Sequence, residues 1–230
     1  METPLSVTSM FSNMITNPTT VFDSIKLKTS FMFPVVVSIL LMQAMFYFYF
    51  QLVDPVWFVE HMISISGEDL APDQIAEMKK FMKVDTIMPF TLIGATIATI
   101  VIVLLQALYL MIVGNTKNMD VSYSEWLSLS SWSLVPAILL TVMIILNLSI
   151  GDISQQPMEL LNPINFASLF GIEGPGSVYN TLASLSVVNF LGIYLVAAGF
   201  KHWSNGSWVS SVTIVALPSV LFWLAQMFVF

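Results

Sequence analysis

The chain lacks ionisable side chains over five long stretches, which together make up roughly half of its 230 residues. Asp, Glu, Lys, Arg and His are all missing from residues 31–53, 88–113, 131–150, 181–200 and 208–230. A helix needs about 20 apolar residues to cross a bilayer core of about 30 Å. A charge at its centre costs at least a few kcal/mol. The pattern therefore predicts five transmembrane helices, without the in-membrane charges of proton pumps and ion-coupled carriers.

Other absences exclude further classes of protein. There is no cysteine, so disulfides, zinc thiolates and iron–sulfur clusters are excluded. All seven basic residues are lysine, so no guanidinium is present for bidentate recognition of phosphate. The net charge is −7, and the sequence has no basic patch of the kind that binds nucleic acid.

What the chain has is 57% hydrophobic residues, which predicts an all-α polytopic membrane protein. Residues 1–30 form a polar N-terminal segment with one short amphipathic helix from Val21. Residues 31–230 form a five-helix membrane domain. Its longest connection, 54–87, is extramembrane and helical, with amphipathic helices predicted at 55–63 and 72–83 and a break at residues 67–69. These helices are expected to lie at the membrane interface.

Lysine counts in the connections indicate the orientation. With the N-terminus inside, four lysines lie on the inner side and three on the outer side, and the acidic connection 151–179 carries none. The inner lysines are Lys26, Lys28, Lys117 and Lys201. The count favours a cytoplasmic N-terminus and an outside C-terminus. Five spans place the two termini on opposite sides.

Four stretches, in their order and spacing, carry a family resemblance. They are Asn17-Pro18 to Phe33-Pro34, Val121 to Pro136, Asn189 to His202, and Ser210 to Pro218. Together they resemble the Yip1 family of five-span membrane proteins. The resemblance implies a helical bundle with a cytosolic N-terminus. Eukaryotic members are associated with small GTPases and vesicle traffic, and some prokaryotic relatives accompany export machinery. The acidic 54–87 connection resembles the prokaryotic branch, which implies the cytoplasmic (inner) membrane.

The sequence offers no recognisable catalytic set. Its two histidines, His61 and His202, fall in connections that the predicted topology places on opposite sides of the membrane. It has no paired metal-ligand motif, no phosphate-binding loop and no Gly-x-Ser-x-Gly elbow. We therefore expect no enzyme activity, no cofactor and no metal.

Neutral polar side chains remain within the predicted spans, and lipid offers them no hydrogen-bond partner. They are Gln43, Gln106, Asn147, Asn189 and Gln226. One reading is interhelical bonding, worth about 0.6 kcal/mol on average. The other is a polar groove for a lipid headgroup or small solute, for which Gln106 and Asn189 lie nearest to mid-span.

The inner turns hold the second candidate group. Glu125 and Trp126 precede the third span, and Lys201 lies between the fourth and fifth. An ion pair between Glu125 and Lys201 would tie the turns together, whereas a partner-docking surface is the alternative. Pro136 is expected to start or kink the third span, and Pro218 to kink the fifth or open a groove.

These patterns favour a non-enzymatic adaptor or accessory subunit for membrane trafficking or export machinery. Its expected partners are the lipid bilayer and other membrane proteins, in a transport complex or by self-association, and not nucleic acid. The alternative is a carrier or scramblase for a lipid or small amphiphile through the neutral polar groove. An enzyme acting on lipid at the interface is the third hypothesis.

Overall fold

The computed structural model describes residues 3–65, 72–172 and 176–229. Regular structure in these ranges is helical, apart from one isolated antiparallel bridge between Asn165 and Ser186. The helices are α1 (Val7–Thr16), α2 (Pro18–Leu27), α3 (Met32–Leu52), α4 (Pro55–Ile65), α5 (Pro72–Phe81), α6 (Val84–Thr116), α7 (Tyr123–Trp132), α8 (Val135–Ile150), α9 (Phe166–Phe170), α10 (Ser177–Ser184), α11 (Val187–Ser204) and α12 (Trp208–Val229), with a 3₁₀ turn at Met158–Leu161. The predicted all-α class is confirmed.

Four helical segments are long and apolar enough to cross a membrane. They are Met32–Leu52, Val84–Thr116, Tyr123–Ile150 and Trp208–Met227. They contain the second and third charge-free stretches and most of the first and fifth. The second segment is the longest. Its 33 residues extend about 50 Å at 1.5 Å per residue. The described part of the chain therefore has the helices of a polytopic membrane protein.

The predicted span at 181–200 is wrong in its bounds, because the backbone leaves the helix in the middle of this stretch. Helix α10 ends at Ser184, and Leu185 is extended with ψ 133°. The carbonyl of Leu185 accepts a hydrogen bond from the backbone N–H of Phe166 at 2.9 Å. Helix α11 then begins at Val187 and continues to Ser204. The extended backbone between α10 and α11 pairs with the chain at the start of α9. An apolar sequence does not reveal such a break between two helices.

The N-terminal segment contains two helices, where the sequence predicted one. Helix α1 starts at the N-cap Ser6, whose hydroxyl accepts from the backbone N–H of Ser9. Asn17 lies outside the helical region, with φ −153° and ψ 72°, and Pro18 opens α2. The predicted turn at Asn17-Pro18 is thus confirmed, and α2 begins three residues earlier than predicted.

The predicted amphipathic helices of the 54–87 connection are both present, as α4 and α5. Asp54 caps α4, because its carboxylate accepts from the backbone N–H groups of Val56 and Trp57 at 2.8 Å each. The predicted break at residues 67–69 lies outside the described residues. The placement of α4 and α5 at the membrane interface stays a prediction.

The chain divides into two compact units. Unit 1 comprises residues 1–40, 97–139 and 188–221, and unit 2 comprises residues 41–96, 140–187 and 222–230. The core of unit 1 combines the N-terminal helices with the apolar faces of α6, α7, α11 and α12. Its buried residues include Met10, Met14, Val21, Phe22, Ile25, Leu110, Trp126, Leu129, Trp132 and Phe200. The N-terminal helices are therefore part of this core.

Hydrogen bonds fix the lead into α3 against α7 within unit 1. The backbone N–H of Ser30 donates to the hydroxyl of Ser128 at 3.0 Å. The indole of Trp132 donates to the carbonyl of Ser30 at 2.5 Å. The ring of Phe33 stacks on Trp132 at 6.1 Å between centroids. These contacts satisfy the backbone of Ser30, whose N–H and C=O both lie outside a helix.

Unit 2 has its own core, in which aromatic rings meet edge to face. Tyr49, Phe50 and Phe58 have ring centroids 5.5–6.3 Å apart, a favourable geometry for such pairs. The Tyr49 hydroxyl donates to the carbonyl of Gln156 at 3.1 Å. The Gln43 amide donates to the Thr96 hydroxyl at 2.6 Å. Gln43 therefore serves the interhelical bonding expected of a polar side chain within a span.

Gly199 of α11 is placed where no larger residue fits without movement. A methyl group there would lie 2.5 Å from Cδ1 of Leu129, which is itself fully buried. We predict that Gly199→Ala lowers the free energy of unfolding by about 1–3 kcal/mol, through overpacking. The measurement is the thermal unfolding midpoint of the purified protein in detergent.

The matched control is Gly94→Ala, since no atom lies within 4 Å of a methyl group at Gly94. This variant should unfold at the midpoint of the parent or slightly above it. In a Leu129→Ala background, Gly199→Ala should cost less than it does alone, because the clashing methyl groups are gone. Equal destabilisation by the two glycine variants would contradict the close contact.

Candidate functional site

An aromatic cluster lies in unit 1 where α2, α6, α7 and α11 meet. It consists of Phe22, Trp126, Phe200 and Trp203. Trp126 is 0% exposed and stacks on Phe200 at 5.6 Å between centroids. It meets Trp203 edge to face at 5.2 Å. Phe22 meets Trp203 at 6.4 Å. The cluster therefore joins the N-terminal helices to the bundle. Because the Trp126 side chain is fully buried, a partner protein cannot reach it.

Gly114 allows α6 to approach this cluster. A methyl group at position 114 would lie 3.1 Å from Cζ2 of Trp126, closer than ordinary contact. The indole N–H groups of Trp126 and Trp203 are buried, and neither finds an acceptor among the described residues. Ring packing rather than hydrogen bonding thus holds the two indoles.

Lys26 of α2 makes three favourable contacts at the edge of the cluster. Its ammonium group lies 3.2 Å from a carboxylate oxygen of Glu125 and donates to the carbonyl of Asp120 at 2.6 Å. It also lies 5.4 Å from the ring centroid of Trp203, within cation–π range. The Glu125 side chain is only 15% exposed, so this pair is better shielded from water than a surface ion pair.

Glu125 is held by the start of its own helix as well as by Lys26. Its carboxylate accepts from the backbone N–H of Ser122 at 2.6 Å and from the Ser122 hydroxyl at 2.7 Å. The Ser122 hydroxyl in turn accepts from the backbone N–H of Glu125, which completes a capping box. Two anchors therefore fix the direction in which the carboxylate points.

The ion pair predicted between Glu125 and Lys201 is not formed. Lys26 takes the place of Lys201, whose ammonium group instead lies 5.5 Å from the ring centroid of Trp208. The physical reason is that α2 folds back over α7 and brings a nearer cation to Glu125. The predicted docking role of Trp126 is also unsupported, since its ring is fully buried.

A second polar contact joins α2 to the end of α11. Nε2 of His202 lies 2.7 Å from a carboxylate oxygen of Asp23. The imidazole also packs at 5.9 Å from the ring of Phe22. The pair is an ion pair when the imidazole is protonated and a hydrogen bond when it is neutral. Both states hold α2 against α11.

The remaining predicted residues lie apart from this site. Gln106 is half-buried on α6 and makes no side-chain hydrogen bond among the described residues. Asn189 is exposed near the start of α11. No hydrogen bond joins Gln106 to Asn189, and the groove predicted between them stays a prediction. Pro136 is buried at the second position of α8, and the prediction that it starts or kinks the third span stays a prediction. Pro218 is exposed within α12.

Asp23, Lys26, His202 and Trp203 are site residues that the sequence analysis did not select. A signal existed for the first two. Asp23 and Lys26 are three residues apart, on the face of α2 opposite the apolar side chains of Val21 and Ile25. A charged pair at this spacing forms one patch on a helix. Which other connection this patch meets depends on the folding of distant segments.

The arrangement is one of support and positioning. Among the described residues, no group of three or more metal-ligating side chains is placed to hold a metal ion. The ion pairs and the aromatic cluster fix α1 and α2 on the bundle, so that one face of these helices is buried and the other is exposed.

The helical segments and this anchored N-terminal pair define a polytopic, all-helical membrane protein. The Yip1 domain model matches residues 12–230, so the chain belongs to the Yip1 family. The match includes α2, Glu125 and the end of α11, and hence the whole anchored site. The chain matches no curated protein and no solved structure.

The double anchoring of Glu125 can be tested by two substitutions. Glu125→Gln loses the charge but keeps an oxygen for the Ser122 N–H, so it should lower the free energy of unfolding by at most about 1 kcal/mol. Glu125→Ala also loses the capping box and should cost about 1 kcal/mol more. Thermal unfolding in detergent measures both. The control is Glu77→Gln on exposed α5, which should leave the free energy of unfolding unchanged. Equal losses of unfolding free energy for the two Glu125 variants would contradict the capping contribution.

Proposed function

We propose that this Yip1 family protein is a non-enzymatic adaptor or accessory subunit, which binds another membrane protein through the exposed face of α1. The observation that supports this most is the burial of α1 and α2 in the core of unit 1. Met10, Met14 and Phe22 are 0–2% exposed. A helix pair anchored in this way presents its opposite face in one fixed orientation, which lowers the entropy cost of binding.

The exposed stripe of α1 is uncharged, as the core of a protein–protein interface tends to be. It consists of Thr8, Ser12, Ile15 and Thr16, and α1 carries no charge. The hydroxyls of Ser12 and Thr16 donate to carbonyls one turn earlier in the same helix. Their hydrogen-bonding demand is thus partly met within the chain, and Ile15 is 51% exposed between them. Such a surface loses little when water is displaced by a partner.

The same contacts support five spans with a cytoplasmic N-terminus. Helix α2 reaches the connection before α7 through Asp120 and the end of α11 through His202. The N-terminal segment, this connection and the turn after α11 therefore lie together within unit 1. If α8 crosses the membrane away from these three segments, α11 must cross back toward them. The 18 residues of α11 extend about 27 Å, close to the thickness of a bilayer core.

This topology belongs, in our proposal, to the cytoplasmic membrane of a prokaryote. The three segments that meet in unit 1 contain all four of the lysines predicted inside, which accords with the positive-inside rule. The carrier or scramblase alternative, with a groove at Gln106 and Asn189, stays a prediction without a contact in its favour.

Single cysteines test the topology, because the chain has none of its own. Thr8→Cys and Ser207→Cys should be protected from a membrane-impermeant maleimide in intact cells. Gln155→Cys, which is exposed in the connection after α8, should be labelled. All three should react after permeabilisation. Labelling of Ser207→Cys together with Gln155→Cys in intact cells would show that α11 does not cross the membrane.

Affinity purification of the full chain in mild detergent tests the adaptor function. A stoichiometric membrane-protein partner should co-purify. Ile15→Asp should lower its recovery at least about tenfold, because a carboxylate replaces the central apolar contact. Ile15→Leu is the matched control and should keep the partner. Repeated recovery of the chain alone, or equal recovery with both variants at unchanged thermal stability, would contradict the proposal.

A further inference from the structure

A cavity with a volume of about 710 Å³ lies wholly within unit 2. This volume is in the range of roughly 300–1,000 Å³ typical of small-molecule sites. Its walls come from α3, α4, α6, α8 and α10, together with the Met158–Leu161 turn. They are mainly apolar, with side chains that include Met45, Phe46, Phe58, Ile87, Ile144 and Ala183.

The cavity wall has few polar groups. Two of them, the side-chain amides of Asn162 and Asn180, have N–H groups without a described hydrogen-bond partner. Asn162 and Asn180 line the cavity with Ser184. The Asn162 side-chain oxygen accepts from the backbone N–H of Ile164 at 3.2 Å. Its amide nitrogen, and the whole side-chain amide of Asn180, form no hydrogen bond with the described residues. A ligand that carries hydroxyl or ester oxygens would satisfy these N–H groups.

The described residues that line the cavity include no Asp, Glu, Lys or Arg. Its one imidazole, that of His61, is stacked on the ring of Trp57 at 4.9 Å. Glu60 of α4 and Lys79 of α5 pair with each other at 3.5 Å, and neither is among the described lining residues. A charged headgroup would therefore enter an apolar cavity without a matching charge, which is costly. An uncharged headgroup bears no such cost.

We infer that this cavity binds an uncharged lipid amphiphile, with the hydrocarbon chain against the apolar wall and the hydroxyl or ester head at Asn162 and Asn180. The surrounding bilayer supplies hydrocarbon chains at high concentration. The amides select the head, because a head without oxygens leaves them unpaired. The site lies in unit 2 and is separate from the α1 surface of the proposed adaptor function.

The test uses the full chain in nanodiscs and a monoacylglycerol that carries a diazirine in its acyl chain. Irradiation should attach the probe to peptides from α4 and α10, and unlabelled monoacylglycerol should compete with saturation. Ala183→Phe fills the cavity and should lower this labelling at least about tenfold. Asn180→Leu removes the amide but leaves the space, and should lower it about three- to tenfold.

The matched control is Val178→Phe, on the same helix but outside the lining and 52% exposed. It should label like the parent. A diazirine probe with a phosphatidylglycerol head should label α4 and α10 at least about tenfold less than the neutral probe. Three results would overturn the inference: unsaturable labelling of all lipid-facing helices, unchanged labelling in Ala183→Phe with parental thermal stability, or equal labelling by the two probes. None of these bears on recovery of a partner through Ile15.

Discussion

The burial of Trp126 is the contact on which unit 1 depends. Its ring contacts Gly114 of α6 and the rings of Phe200 and Trp203 of α11. Trp203 in turn contacts Phe22 of α2. The ring therefore gives α6, α7 and α11 a common contact. Gly114 favours this close approach of α6, because a methyl group at this position would lie only 3.1 Å from the Trp126 ring. Large and small residues together set the spacing of the helices.

Polar contacts add direction to this packing. The apolar faces of α1 and α2 could slide against the bundle with modest loss, since apolar contact is not directional. The contacts of Lys26 with Glu125 and of Asp23 with His202 hold α2 at two points, one on α7 and one on α11. The partly exposed charges contribute little to stability. Their effect is to fix the position of the N-terminal pair.

The spans were predictable because charge is excluded from lipid, and this leaves a strong pattern in the sequence. The break at Leu185 was not, since an extended residue within an apolar stretch changes no charge and little hydropathy. Helix α1 was missed because its exposed hydroxyls look like a polar linker, whereas two of them bond back to the helix. Glu125 was selected as a candidate site residue, but its partner depends on which helix lies beside α7. The cavity of unit 2 has no counterpart in the sequence, because its walls come from five helices and the Met158–Leu161 turn.

The contacts of α2 also have a consequence for the order in which the chain assembles. Asp23 and its partner His202 are 179 residues apart in sequence. At a synthesis rate of about 5–20 residues per second, α2 waits roughly 10–40 seconds for the end of α11 to be made. During that interval the apolar faces of α1 and α2 have only part of their final cover. The core of unit 1 can therefore close only late in synthesis, after α11 has been made.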